Sequence, residues 1–305
     1  MVRTAIPFRR VVERLWGALP FFGGLNRRLD RLERMSHGGR ATYVGNNRVL
    51  TKCVIGEDVI GFLVEADDRL LGPWLILTGQ YETPLTNYFL SNLKPDSHCL
   101  DVGANFGYFT CLMARNCPRG KVLGIEPDRH VYELVRDNIN INGLQGLAAA
   151  RQAAVGDREG RLALHRRITR SGNTSIQRMA EDFTAGMGEP SSTSFEVASL
   201  TIDSLLPYFE NRIDFIKIDV EGAEPLALRG ARTTLAANPQ VRIVMEWSPG
   251  QVQAAGFEAA AFVEELAALG LRAADIDFWG KTKPLPPEEL LHLDYRAGIL
   301  LTASR

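Results

Sequence analysis

The run Cys99-Leu-Asp-Val-Gly-Ala-Asn-Phe-Gly107 leaves this chain few ways to fold. An apolar stretch from His98 to Val102 carries one carboxylate, Asp101, and stops at Gly103. The pattern predicts a buried strand, a tight turn and a helix over Tyr108 to Ala114. Gly103 lets the backbone turn sharply and approach a ligand with no Cβ in the way. Gly107 allows close helix–strand contact, and the helix start beyond it offers unpaired N–H groups. In open α/β sheets such a unit binds nucleotides at the strand's carboxyl end. Plain packing also produces strand–turn–helix units with two glycines, so further signals are needed.

Lys121-Val-Leu-Gly-Ile-Glu126-Pro127 reads as the next strand, ending on a carboxylate 25 residues after Asp101. A strand-end acid at about that spacing accepts the hydroxyls of an adenosine ribose. From Gly103 the glycines run Gly-x-x-x-Gly, with Asn105 where a dinucleotide site needs its middle glycine. A pyrophosphate would not approach closely enough. The expected ligand is a nucleoside without one, and S-adenosylmethionine (SAM) fits.

Ile213-Asp-Phe-Ile-Lys-Ile-Asp-Val-Glu-Gly-Ala-Glu-Pro225 supplies a third strand and turn. Alternation puts Phe215, Lys217 and Asp219 on one face and Ile216, Ile218 and Val220 on the other. A lysine in a covered central strand is costly unless paired, and Asp219 is its natural partner. Glu221 and Glu224 flank the Gly222 turn, and Pro225 suits a first helical turn. This is either a polar site at the strand's carboxyl end or a capping and ion-pair cluster.

Four segments together resemble the FkbM-like family of SAM-dependent methyltransferases. They are Asp101-Val-Gly-Ala-Asn-Phe-Gly107, Ile125-Glu-Pro127, Ala153-Ala-Val-Gly-Asp157 and Ile216-Lys-Ile-Asp-Val-Glu-Gly-Ala-Glu224, with Thr201-Ile-Asp-Ser-Leu205 before the last. The resemblance runs from about Thr83 to Leu301. It implies a class I methyltransferase fold, a mostly parallel seven-stranded sheet whose last strand is antiparallel, SAM as donor, and most often O-methylation. The acceptors of such enzymes include sugars and secondary metabolites.

On that frame Glu126 is expected at the ribose. Asp101, Gly103, Asn105 and Gly107 would shape the methionine side, with Ala104, Tyr108 and Pro127 completing the shell. Val155 and Gly156 would border the adenine, and Tyr81 and Glu82 would close over the methionine amino group. Removing a proton from a neutral hydroxyl calls for a base. The candidates are Asp219, Glu221 and Glu246, in that order, with Asp219 also beside the donor. Asn173, Ser175, Lys217 and Trp247 are the candidate acceptor contacts. A divalent ion on the same carboxylates is a second way to activate the hydroxyl. No metal-ligand spacing among the five histidines and four cysteines indicates one.

Alternating strands and helices from His98 onward predict a doubly wound, mostly parallel sheet. The expected strands are His98–Val102, Val122–Glu126, Ala149–Val155, Ile213–Val220, Val241–Trp247, Leu271–Ile276 and Ala297–Thr302. Between Arg161 and Leu200 the rhythm fails, which predicts a long loop over about 166–195. Residues 1–80 are expected as a helical arm plus a small antiparallel ribbon, a lid or oligomerisation element. Residues 81–305 form the methyltransferase domain. Residues 1–40 hold nine arginines and three acids, a net +6 in a chain whose total is −1. That arm suggests a subunit contact, as in a homodimer, or a peripheral membrane contact. The near-neutral total argues against a nucleic-acid partner. The cysteines read as a reduced, cytoplasmic set. No apolar run reaches the roughly 20 residues of a membrane span.

The leading function is SAM-dependent O-methylation of a small molecule or glycan. A non-catalytic SAM-binding or scaffold protein is the alternative from another class. An NAD-dependent dehydrogenase conflicts with the glycine spacing.

Overall fold

The computed structural model describes residues 41–56, 58–69, 71–166, 174–175 and 193–303. The expectations for the basic arm, residues 1–40, lie outside them. β1 (Ala41–Gly45), β2 (Arg48–Ile55) and β3 (Asp58–Glu65) form an antiparallel ribbon. Helices α1 (Leu71–Thr78) and α2 (Thr83–Asn92) lead into the main sheet.

The core is β4 (Cys99–Val102), β5 (Val122–Glu126) and β6 (Ala148–Gln152). Helices α3 (Tyr108–Asn116) and α4 (Arg129–Ile141) join them. Asp128 caps α4, its Oδ1 accepting from the His130 and Val131 N–H groups. On the other side of β4 lie β11 (Phe215–Ile218) and β12 (Arg242–Trp247), then β15 (Arg296–Ala303), β13 (Leu271–Ile276) and β14 (Thr282–Leu285). The five strands from β6 to β12 are parallel, and β15 is antiparallel to both its neighbours. The sheet has eight strands rather than the expected seven. The extra one, β14, is an edge strand carrying Pro284, where a missing N–H is tolerated.

One face of the sheet buries Phe89, Phe109, Phe215 and Val244; the other buries Leu100, Ile216, Ile218, Met245 and Trp247. The ribbon joins the first of these layers. Phe62 stacks on Tyr108, and buried Asn138 of α4 accepts from the Leu63 N–H and donates to the carbonyls of Leu63 and Phe106.

Two expectations are corrected here. The strand expected over Ala149–Val155 breaks at Ala153. Its end, β7 (Ala154–Val155), leaves the main sheet and pairs with β10 (Thr193–Leu200). β10 in turn pairs with β8 (Gly160–Arg166), which carries the short β9 (Thr174–Ser175). The region expected as a loop therefore begins and ends in a second, four-stranded sheet. Its strands bury one face only, so their polar alternation does not read as core.

α5 (Ile202–Leu205) follows β10. The helical turn that Pro225 suits opens α6 (Glu224–Arg229), and α7 (Arg232–Ala237) follows. They part at Gly230, where a Cβ would sit 2.1 Å from the Gly156 carbonyl oxygen. α8 (Pro249–Ala254), α9 (Ala259–Ala268) and α10 (Pro287–Leu291) complete the second layer.

Candidate functional site

The connections from β4 and β11 run to opposite sides of the sheet, so the crevice opens at their carboxyl ends. Gly103 packs so tightly there that a Cβ would lie 1.8 Å from the Asp219 carbonyl oxygen, at a φ of +78°. No other residue type fits. Three non-glycine residues lining the cleft also take positive φ: Glu82 (38°), Asn105 (50°) and Glu221 (54°). Such backbone costs about 1–3 kcal/mol per residue and clusters at functional sites.

Strand order divides the cleft. On the β5–β7 side it is apolar, lined by Pro127, Ala154, Val155, Leu162 and Leu164. The two leucines come from β8, so the second sheet roofs this end. On the β12–β15 side it is polar, lined by Asp219, Glu221, Glu246, Gln251 and Tyr295. Tyr81, Glu82, Gly103, Asn105 and Glu126 lie along the middle.

The Glu126 carboxylate accepts from the Asn105 N–H (2.9 Å) and the Asp128 N–H (3.0 Å). Burial still pushes its pKa up to about 8, against those two bonds. Burial likewise lifts Glu82 to about 7, with Lys217 opposing. Asp101 is raised by burial too, although Lys217 and the Thr110 hydroxyl (2.6 Å) favour its charge. Glu246 is raised well above the carboxylate range by burial and then by Asp219, Glu221 and Glu224 around it.

Lys217 is buried, pairs with Asp219 at 2.8 Å and stands over the Phe109 ring. Burial opposes its charge, but Asp219, Asp101 and Glu82 outweigh that and hold it as an ammonium.

Five buried side-chain oxygens here have no hydrogen-bond partner: Glu82 Oε2, Asp101 Oδ1, Asn105 Oδ1, Glu246 Oε2 and Gln251 Oε1. An unpaired buried acceptor costs about 1–3 kcal/mol. All five are acceptors, so the cleft suits a ligand rich in N–H, O–H and positive charge. SAM, with its ammonium, sulfonium and ribose hydroxyls, fits this donor set; a pyrophosphate does not. Among the described residues no group of His, Cys, Asp and Glu is arranged to hold a metal ion.

Most of the expected cofactor residues meet at this cleft: Tyr81, Glu82, Gly103, Asn105, Glu126, Pro127, Val155 and Asp219 line it, and Asp101 lies beneath. Ala104, Gly107, Tyr108 and Gly156 do not line it. Gly107 is instead a contact between helices, since a Cβ would lie 3.1 Å from Val135 of α4. The Tyr108 hydroxyl meets Thr86 Oγ1 at 3.0 Å in the core.

The three base candidates share the polar end, with Glu221 hydrogen-bonded to Gln251. Two acceptor contacts are corrected. Trp247 is fully buried, stacked on Phe262 and donating to the Leu290 carbonyl, on the face opposite Glu246. Lys217 lies under the rim and does not line the cleft. Asn173 is outside the described residues, as is the Ser175 side chain. Gln251, Tyr295, Leu162 and Leu164 belong to the cleft and escaped the sequence reading. Only the period-two spacing of the leucines hinted at any of them.

The fold and the cleft define a class I SAM-dependent methyltransferase. The model of the methyltransferase FkbM domain matches residues 101–273, and the chain belongs to that family. Methyltransferase sdnD of Sordaria araneosa is 26% identical over 188 residues, 54% of this chain and 72% of its own. Methyltransferase 1 of Beauveria bassiana is 28% identical over 156 residues, 47% of this chain and 61% of its own. Among solved structures, an O-methyltransferase from Bacillus cereus in complex with SAH is 16% identical, with a TM-score of 0.40 over 72% of this chain and 79% of that one. The O-methyltransferase TomG of Streptomyces achromogenes, in complex with SAM, is 15% identical, with a TM-score of 0.39 over 73% and 80%.

Proposed function

We propose that this methyltransferase acts on oxygen, methylating a hydroxyl of a small molecule or glycan, with Glu246 as the base. The carrying observation is Glu246 Oε2, buried, unpaired and lining the polar end of the cleft. Of the three candidates, Asp219 is engaged by Lys217 and Glu221 by Gln251, whereas Glu246 neighbours the Tyr295 hydroxyl and keeps Oε2 free. Burial and the neighbouring carboxylates raise the Glu246 carboxyl well above its ordinary range. A base with a raised pKa suits proton removal near neutral pH.

In this reading Glu126 holds the ribose hydroxyls, and the adenine lies between Val155 and the β8 leucines. Glu82 and Asn105 take the methionine ammonium. When bound, the donor would supply an electrophilic methyl group. The carboxylate would orient the acceptor hydroxyl and take its proton; the oxygen's electron pair would form the new C–O bond as the S–CH3 bond breaks, its pair leaving with the sulfur of S-adenosylhomocysteine.

An assay with SAM and an acceptor panel tests this. Products heavier by one methylene, with the methyl on oxygen by NMR, support it. Methyl groups found only on nitrogen or carbon would overturn it. SAM binding with no transfer to any acceptor would favour the scaffold alternative.

A further inference from the structure

Glu246 lies on the same face of β12 as Val244, the face covered by α2. The turn between β13 and β14 docks on that same helix. Asn87 of α2 donates to the Phe278 carbonyl at 2.9 Å. Gly280 approaches so closely that a Cβ there would lie 2.4 Å from the Tyr88 nitrogen. Asp277 closes the turn, accepting from the N–H groups of Trp279 (2.9 Å) and Lys281 (2.8 Å).

The backbone is thus held from both sides, yet its two large side chains stand in solvent. Phe278 is 56% and Trp279 71% exposed, their rings edge to face at 5.1 Å. A third exposed ring stands at the same end of the sheet, where β15 begins beside the end of β13. Tyr295 lines the polar end, is 52% exposed, and precedes Arg296, which pairs with Asp275 at the end of β13. The turn's two rings and Tyr295 of the cleft thus share one end of the sheet on a fixed backbone, an exposed aromatic group rather than a single surface apolar.

We propose that Phe278, Trp279 and Tyr295 form the acceptor shelf. It takes the flat apolar face of a hydroxyl-bearing ring, either a glycoside or a phenolic polyol, and presents one hydroxyl to Glu246. The inference rests on the O-methyltransferase reading and adds its specificity-determining residues. Exposed aromatic rings stack on flat C–H or π faces. The unpaired Glu246 Oε2 and Gln251 Oε1 accept from ring hydroxyls. Asp219, Glu221 and Glu246 repel an anionic group beside the reacting hydroxyl.

The test uses the full chain saturated with SAH. One arm is titrated with 4-nitrophenyl glycosides and the other with catechin, followed by ligand-observed NMR. Members that bind are then assayed with SAM. Binding in either arm is expected and identifies the ring source. For rings that are methylated, Trp279→Ala should raise KM roughly tenfold with kcat little changed, the size expected for one aromatic contact, and Trp279→Phe should restore most of it. SAH affinity should stay within twofold in both variants. No binding in either arm, or Trp279→Ala and Phe278→Ala both leaving ring affinity and KM unchanged, would overturn the shelf. Rings that bind through Trp279 but are never methylated would leave the shelf standing and remove the O-methyltransferase reading.

Discussion

At the residue scale the site depends on carboxyl groups kept from water. Their raised pKa values set a direction for pH. Glu82 and Glu126, with pKa values of about 7 and 8, are mostly protonated at pH 6. An ionised Glu82 meets the donor's ammonium and an ionised Glu126 accepts from both ribose hydroxyls, so donor affinity should rise from pH 6 to 8. Calorimetric titrations at those two pH values check this, and a flat profile would mean that neither carboxylate meets the donor. Glu246→Gln should cut kcat by about 10²–10⁴-fold, the usual contribution of a placed base, while SAM affinity changes little. An unchanged kcat would move the proton transfer to Asp219 or Glu221.

The half of the cleft proposed for the donor could be assembled from the sequence because each feature has a local cause. Gly103 turns against β11, and Glu126 ends a strand beside the Gly turn. The acceptor half was not. Gln251, Phe278, Trp279 and Tyr295 come from three separate elements and carry no shared motif. Trp247 was misassigned although period-two alternation already separates it from Glu246.

At the element scale the ribbon and the second sheet are additions to the parallel core. The ribbon hangs on Asn138, which is fully buried and satisfies three backbone groups. Asn138→Ala leaves all three without a partner, each costing about 1–3 kcal/mol. Denaturant unfolding should register a loss of at least about 2 kcal/mol. A loss under about 0.5 kcal/mol, the level of an ordinary surface change, would show that the ribbon is held some other way. The ribbon is expected from the sequence and found as β1–β3. The second sheet stayed hidden because its charged alternation looks like solvent-facing loop.

At the scale of the whole molecule the buried acids oppose stability as pH rises. Glu82, Glu126 and Glu224 have folded pKa values of about 7, 8 and 7, above the roughly 4.3 of an unfolded glutamate. The folded state therefore holds more protons between those limits, and its stability falls as pH rises from about 5 to 8. Thermal unfolding of the ligand-free protein should show a lower Tm at pH 8 than at pH 5.5. SAM should offset part of the drop by binding only the folded state. A Tm that rises over this range would contradict the burial of these groups as charged-form penalties.

The role of residues 1–40 stays a proposal about assembly. Deleting them should leave SAM affinity nearly intact and change oligomeric mass or liposome binding. A truncated chain that loses SAM but keeps its mass and lipid behaviour would assign the arm to the catalytic core instead.

The most direct test of the central claim, that an acceptor-lined cleft organised around Glu126 holds the adenosyl group of SAM, is calorimetric titration with SAM, SAH and NAD. The account predicts that SAM and SAH bind and NAD does not. It also predicts that Glu126→Ala weakens both by about 1.5–3 kcal/mol, the range for hydrogen bonds to a charged group. Tight NAD binding without SAM binding, or a Glu126→Ala protein with unchanged SAM affinity, would contradict it.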